Sequence, residues 1–232
     1  TVVSPFYPYA RQDKKHKGRE PISARLISDL YKTAGADRLM CVDLHTSQIQ
    51  GFFDGPLDHL FAIPVLAKHI RERVEDLSNV TVVSPDTGRV RVAEHWADLL
   101  DGAPLAFVHK TRDINVPNHA VSKTVVGDIE GRTCVLIDDM IDTGGTIAGA
   151  VKVLMDKGAK EVIIAATHPV LSDPAAERLS QCGAVEVIVT NTLPVPEEKQ
   201  FDNLTILSIA PLIARAIREV FDEGSVTVIF EH

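Results

Sequence analysis

The sequence predicts an α/β protein built on largely parallel sheets flanked by helices. Three observations carry this. Short apolar runs such as Leu39 to Val42, Cys134 to Ile137 and Val162 to Ala166 have the length of strands buried on both faces. Segments of helical period lie between them: Ile147, Val151, Leu154 and Met155 fall at i, i+4, i+7 and i+8. The stretch Thr133 to Thr146 joins the two patterns, reading as strand, acidic pair, glycine-rich turn and helix start.

Composition bounds the function. A hydrophobic share of 45% in 232 residues supports a proper core, in one large domain or two small ones. Lys and Arg number 24 against 32 Asp and Glu, a formal charge of −8, so there is no global basic footprint for nucleic acid. Phosphate ligands must be met by local clusters. Cys41, Cys134 and Cys182 are widely spaced and read as reduced thiols of a cytoplasmic protein, not as a zinc site or disulfide frame. No apolar run approaches membrane-spanning length, and nothing resembles a signal peptide. Thr1-Val2-Val3 reads as the end of a strand without an initiating Met, so an upstream region, or numbering that starts inside the natural chain, is expected.

In chain order, Phe6 to Glu20 is an aromatic cluster followed by a basic loop, either a polyphosphate contact or a solvated surface. Pro21 is expected to open a helix with Ile22, Leu26, Ile27 and Leu30 as its apolar stripe and Gly35 as its stop. The strand Leu39–Val42 delivers Asp43 and His45, expected to point to one face. Asp54 and Asp58 return after a Gly- and Pro-punctuated loop. One imidazole and three carboxylates suit Mg²⁺ and its waters, although a lone D-x-H is more often a satisfied structural pair. A charged helix over 66–76 precedes a strand, Thr81 to Pro85, and a helix continuing through Trp96, which is read as core. Leu105 to Val108 is a strand; Asp113 to Ser122 suits a mobile lid. Beyond the central stretch, Asp173 is a candidate cap for a helix at Pro174. Val187 to Thr190, Thr205 to Leu207 and Val226 to Phe230 read as strands, and Ile209 to Phe221 as a helix. His168 and Ser172 are placed after a strand end.

The central stretch has specific chemistry. Gly144 and Gly145 let the backbone approach a ligand, and the helix start with Asp142, Thr143 and Thr146 offers an anion site. A phosphate there leaves the carboxylates of Asp138 and Asp139 one sugar-length away, for ribose hydroxyls or Mg²⁺. The competing reading is a plain strand–helix turn capped by Asp142 or Thr143.

The whole run resembles the ribose-5-phosphate signature shared by phosphoribosyltransferases and phosphoribosyl pyrophosphate synthetases. Residues Asp43 to Asp58 resemble the signature of ribose-phosphate pyrophosphokinases. That resemblance extends from Phe6 to about Phe230. It implies two phosphoribosyltransferase-like domains, the first incomplete. Residues 1–60 would be the ATP side, with 226–230 as a candidate return to it, and 61–225 the ribose-5-phosphate side. It implies ATP contacts from Arg11, Gln12 and His45, and a pyrophosphate loop at Asp86, Thr87, Gly88 and Arg89. Lys110 and Arg112 would be the catalytic pair, and Mg²⁺ would be held among His45, Asp86, Asp43, Asp54 and Asp58. It further implies conversion of ATP and ribose 5-phosphate for nucleotide biosynthesis, a homo-oligomer (a hexamer by resemblance), and phosphate and ADP as effectors, with no nucleic-acid or membrane partner. Two alternatives stand beside it: a phosphoribosyltransferase, and a non-catalytic paralogue or inactive fragment of the synthetase.

Overall fold

The computed structural model describes residues 1–15, 17–86, 90–111 and 122–230, without the side chains of 90, 110, 111, 122 and 123. The chain packs as two compact units, 1–62 with 208–232, and 63–207. The second passage into the first unit begins at Ser208, earlier than the expected return at 226, because the helix before that segment packs on it.

The first unit holds a parallel sheet of β1 (Val2–Val3), β2 (Leu39–Val42) and β3 (Leu57–Leu60), in that order. The helix α1 spans Ser23–Thr33. Its inner face is Ala24 and Ser28, and the phenol of Tyr7 donates to the Ala24 carbonyl at 2.8 Å and lies 2.6 Å from Ser28 Oγ. The expected stripe is therefore corrected: Leu26 and Leu30 are more than half exposed, since small residues let α1 sit close over Tyr7. Pro21 lies before the helix, whose N-cap is Ile22. Gly35, at φ +92°, does end it. The helix α6 (Ala210–Phe221) belongs to this unit. Val226–Phe230 is a 3₁₀ turn, not a strand. Phe230 stacks edge-on against Phe61 with centroids 5.5 Å apart, and the segment docks through that contact instead of a ladder.

The second unit is one sheet of seven strands: β4 (Val80–Ser84), β5 (Leu105–Thr111), β6 (Ser122–Val126), β7 (Thr133–Ile141), β8 (Glu161–Pro169), β9 (Glu186–Thr190) and β10 (Leu204–Leu207). The order is β10-β9-β8-β7-β4-β5-β6, parallel except for β6 against β5. The helices are α2 (Ile63–Arg73), α3 (Val90–Leu99), α4 (Gly145–Asp156) and α5 (Ala175–Gln181). Period two sends Cys134 and Leu136 of β7 toward Ile147, Val151 and Leu154 of α4 in one cluster. Val135 and Ile137 face the other way and are equally buried, as a doubly covered parallel strand requires. Trp96 is 2% exposed, core as expected. Met155 is exposed, and Gly158 at φ +88° stops α4. Asp173 does not cap α5, whose N-cap Pro174 has no side-chain bond; it lies 3.6 Å from Lys199.

Candidate ribose-phosphate and nucleotide sites

In the second unit, β7 carries the acidic pair inside the strand and not after it. Alternation leaves Asp138 half-buried and Asp139 buried, with the Asp139 N–H donating to Asp138 Oδ1 at 2.9 Å. The chain then turns through Asp142 and Thr143 to Gly144, which sits at φ +70° as the N-cap of α4. That conformation suits glycine. The N-cap position is thus a glycine, not Asp142 or Thr143 as in a plain capped turn. The first turn of α4 also holds no acidic residue. Its opening N–H groups and positive dipole end therefore face an exposed Thr143, Gly145 and Thr146, which is the chemistry an anion requires.

Sheet order adds what spacing alone did not. From β4 the chain moves one way, to β5; from β7 it moves the other way, to β8. The switch point of this sheet lies between β4 and β7, and crevices at the carboxyl ends of such neighbours hold ligands. Asp86 leaves the end of β4, exposed, with its carbonyl accepting from Ser84 Oγ at 2.6 Å. Asp138 to Thr146 leave the end of β7. The backbone of Lys110 is on β5, three residues past Phe107, which pairs with Ser84. Unit 2 thus brings these expected positions to one edge of one sheet. Thr87, Gly88, Arg89 and Arg112, with residues 113–121 of the expected lid, lie outside the described residues, as does the Lys110 side chain; the lid's last expected residue, Ser122, opens β6.

His168 is inside β8, not after it, and 1% exposed. Its Nδ1 lies 2.9 Å from Thr192 Oγ1, and Thr190 and Thr192 both donate to the Thr167 carbonyl. It belongs to a buried polar cluster at the ends of β8 and β9.

In the first unit, Asp13 is 5% exposed and accepts from Thr46 Oγ1 at 2.8 Å and from Gln48 Nε2. This carboxylate ties the basic loop to the turn after β2, so exposed Arg11, Gln12 and half-buried His45 occupy neighbouring segments. Gln12 Nε2 donates to the Pro21 carbonyl at 3.2 Å. Asp43 is not in the strand: at φ +40° it follows β2, and its Oδ2 accepts from Ala62 N–H at 3.0 Å. The His59 ring accepts from the Leu44 N–H through Nε2 at 2.9 Å. Asp54 is exposed. Asp58 lies 3.1 Å from Arg38, close but not aligned as a hydrogen bond, and burial, partly offset by that guanidinium, pushes its carboxyl above the usual range. Asp43 and Asp58 thus already serve backbone and arginine. Among the described residues, no three His, Cys, Asp or Glu side chains gather closely enough to hold a metal.

Comparison with known proteins follows this geometry. Residues 99–231 match the family model of the phosphoribosyl synthetase-associated domain, and residues 1–35 that of the N-terminal domain of ribose phosphate pyrophosphokinase. The ribose-phosphate pyrophosphokinase of Mycobacterium tuberculosis is 70% identical over 231 residues, covering 100% of this chain and 71% of the relative. The chain belongs to the ribose-phosphate pyrophosphokinase family. The pyrophosphokinase of Bifidobacterium longum is 65% identical over 232 residues and covered to 68%. The crystal structure of phosphoribosylpyrophosphate synthetase from Mycobacterium smegmatis superposes with a TM-score of 0.89 at 66% identity, over 96% of this chain and 71% of that one. The pyrophosphokinase fold thus accounts for both units.

Proposed function

We propose that the chain transfers the β,γ-diphosphoryl group of ATP to the C1 hydroxyl of ribose 5-phosphate, giving 5-phospho-α-D-ribose 1-diphosphate and AMP. One observation carries the reading: a helix start opened by a left-handed glycine, with no acidic residue in its first turn, follows two strand carboxylates at the switch point of a sheet. A sugar bearing a phosphate at one end and vicinal hydroxyls at the other matches those two features in order. Membership of the family supports the same substrates.

In this reading the N–H groups of Gly144 to Thr146, with the Thr143 and Thr146 hydroxyls, bind the 5-phosphate, and Asp142 lines the turn. Asp138 and Asp139 accept from the ribose hydroxyls and fix the sugar's orientation. Arg11, Gln12 and His45 meet the nucleotide, and Asp86 to Arg89 meet the diphosphate. The sugar hydroxyl attacks the β-phosphorus in line, the bond to the α-phosphate oxygen breaks, and AMP leaves. Such transfer rests on positioning and charge stabilisation, the role assigned to Lys110 and Arg112. Mg²⁺ takes one or two carboxylates plus water and phosphate oxygens, so His45 and the exposed Asp54 in the first unit are suitable donors, as are, in the second unit, the exposed Asp86 and the pair Asp138 and Asp139. When bound, it neutralises charge on the phosphates. Asp43 and Asp58 are the weaker metal ligands of the set, given their present partners.

The test is AMP formation from Mg-ATP with and without ribose 5-phosphate. The expected outcome is AMP only when the sugar phosphate is present. ATP hydrolysis indifferent to it would remove the reading. Arg112→Ala is expected to lower kcat about 10³-fold, the scale of losing a transition-state arginine. A homohexamer, tested by light scattering, belongs to the same proposal.

A further inference from the structure

We propose that Arg178 is a positioning residue for the phosphate loop. This rests on the ribose-phosphate reading of Asp142 to Thr146.

Arg178 stands on α5, 35 residues from Thr143, and its Nη1 donates to the Thr143 carbonyl at 2.9 Å. The inner face of α5 is fixed: Ala175 and Leu179 are fully buried, and a methyl group on Gly144 would come 3.4 Å from Leu179 Cγ and 3.6 Å from Ala175. Arg178, the residue before Leu179, is thereby held over the turn. The same Nη1 is 3.5 Å from where a Cβ of Gly145 would sit. The guanidinium therefore touches the loop on the peptide that precedes its two glycines.

That peptide matters because a trans amide points its C=O and N–H in opposite directions. Holding the Thr143 oxygen toward α5 fixes the Gly144 N–H away from α5. Glycine at 144 would otherwise permit the 143–144 plane to rotate, since both signs of φ are open to it. Arg178 removes that freedom, and its charge adds to the positive end of α4. The role is indirect: Arg178 orders the donors and does not need to touch the phosphate. If the loop without this clamp spends about one part in ten in the binding orientation, apparent affinity falls about tenfold.

The test compares the parent, Arg178→Ala and Arg178→Lys in steady-state kinetics, thermal melting and ribose 5-phosphate titration watched at the Gly144 amide by ¹⁵N NMR. For Arg178→Ala the expected result is a KM for ribose 5-phosphate raised about tenfold, with kcat and the KM for ATP within about twofold. The Gly144 shift should follow the same weaker binding, and Tm should stay near the parent's because the side chain is exposed. Arg178→Lys, retaining the charge and an N–H donor group on a shorter side chain, is expected to recover part of the affinity. An unchanged ribose 5-phosphate KM overturns the proposal. So does a rise in both KM values together with a fall in Tm, which marks a merely structural residue. A parent that binds ATP but not ribose 5-phosphate overturns the reading of the loop itself, and the role of Arg178 with it.

Discussion

Two kinds of titratable side chain, thiol and carboxyl, are shifted the same way by burial. Burial pushes the thiols of Cys41 and Cys134 up to about 12, with the Asp58 charge adding to it at Cys41 and Arg132 opposing it at Cys134. A thiolate is the reactive form, so both should resist Ellman's reagent at mild alkaline pH until the chain is unfolded. Rapid labelling of either in the native protein, read by peptide mapping, would contradict their placement. Asp58 is pushed up by burial despite Arg38. Its raised folded-state pKa means that it contributes stability below its unfolded pKa, and that this contribution is lost as pH rises through the folded value. Asp58→Asn should therefore gain in Tm relative to the parent as pH is raised from acid toward neutral. The sequence put Asp58 among the metal residues because carboxylate spacing is visible in one dimension, whereas Arg38 as its partner emerges only when β3 pairs with β2.

At the scale of elements, the strand–loop–helix of Thr133 to Asp156 was almost wholly legible. Its continuous apolar run, glycines and helical period are local, and local signals decide local structure. What failed there was a boundary: β7 runs on through the acidic pair because β8 continues beside it as far as Pro169. The α1 stripe failed for another reason. Leu26 and Leu30 have the right period, but the close approach to Tyr7 selected the small face of the helix. The hairpin of β5 and β6 supplies a sharper test of close approach. Gly127, at φ +117°, sits where a Cβ would fall 2.6 Å from Ala106 Cβ and from the Leu105 carbonyl. Backbone cannot yield as a side-chain tip can, so Gly127→Ala should destabilise by about 2 kcal/mol or more, measured by urea unfolding. Gly144→Ala meets milder contacts at 3.4 Å, but the left-handed conformation costs an alanine about 1–2 kcal/mol. Its main effect should be weaker ribose 5-phosphate binding.

For the whole molecule, the features hidden from the sequence are those that depend on long-range order. The switch point between β4 and β7, the Asp13 tie to Thr46 and Gln48, and the Arg178 clamp each join residues more than thirty positions apart. No periodicity announces such meetings. The division into units also sorts the optical probes: Trp96, the single tryptophan, is in 63–207, and Tyr7, Tyr9 and Tyr31 are all in 1–62. Leu154→Ala, emptying a fully buried site under α4, should lower the stability reported by Trp96 emission by about 2–5 kcal/mol. The same division governs how the chain leaves the ribosome. Residues 63–207 emerge as one uninterrupted piece and can close their sheet as soon as β10 is out, β6 joining its neighbour β5 on the way. Residues 1–62 emerge before that piece yet must wait through all of its synthesis for α6 and Phe230. During translation, β1 to β3 are thus made before 63–207 but acquire their full packing after it, and they stay open to a nascent-chain chaperone for the whole of that interval.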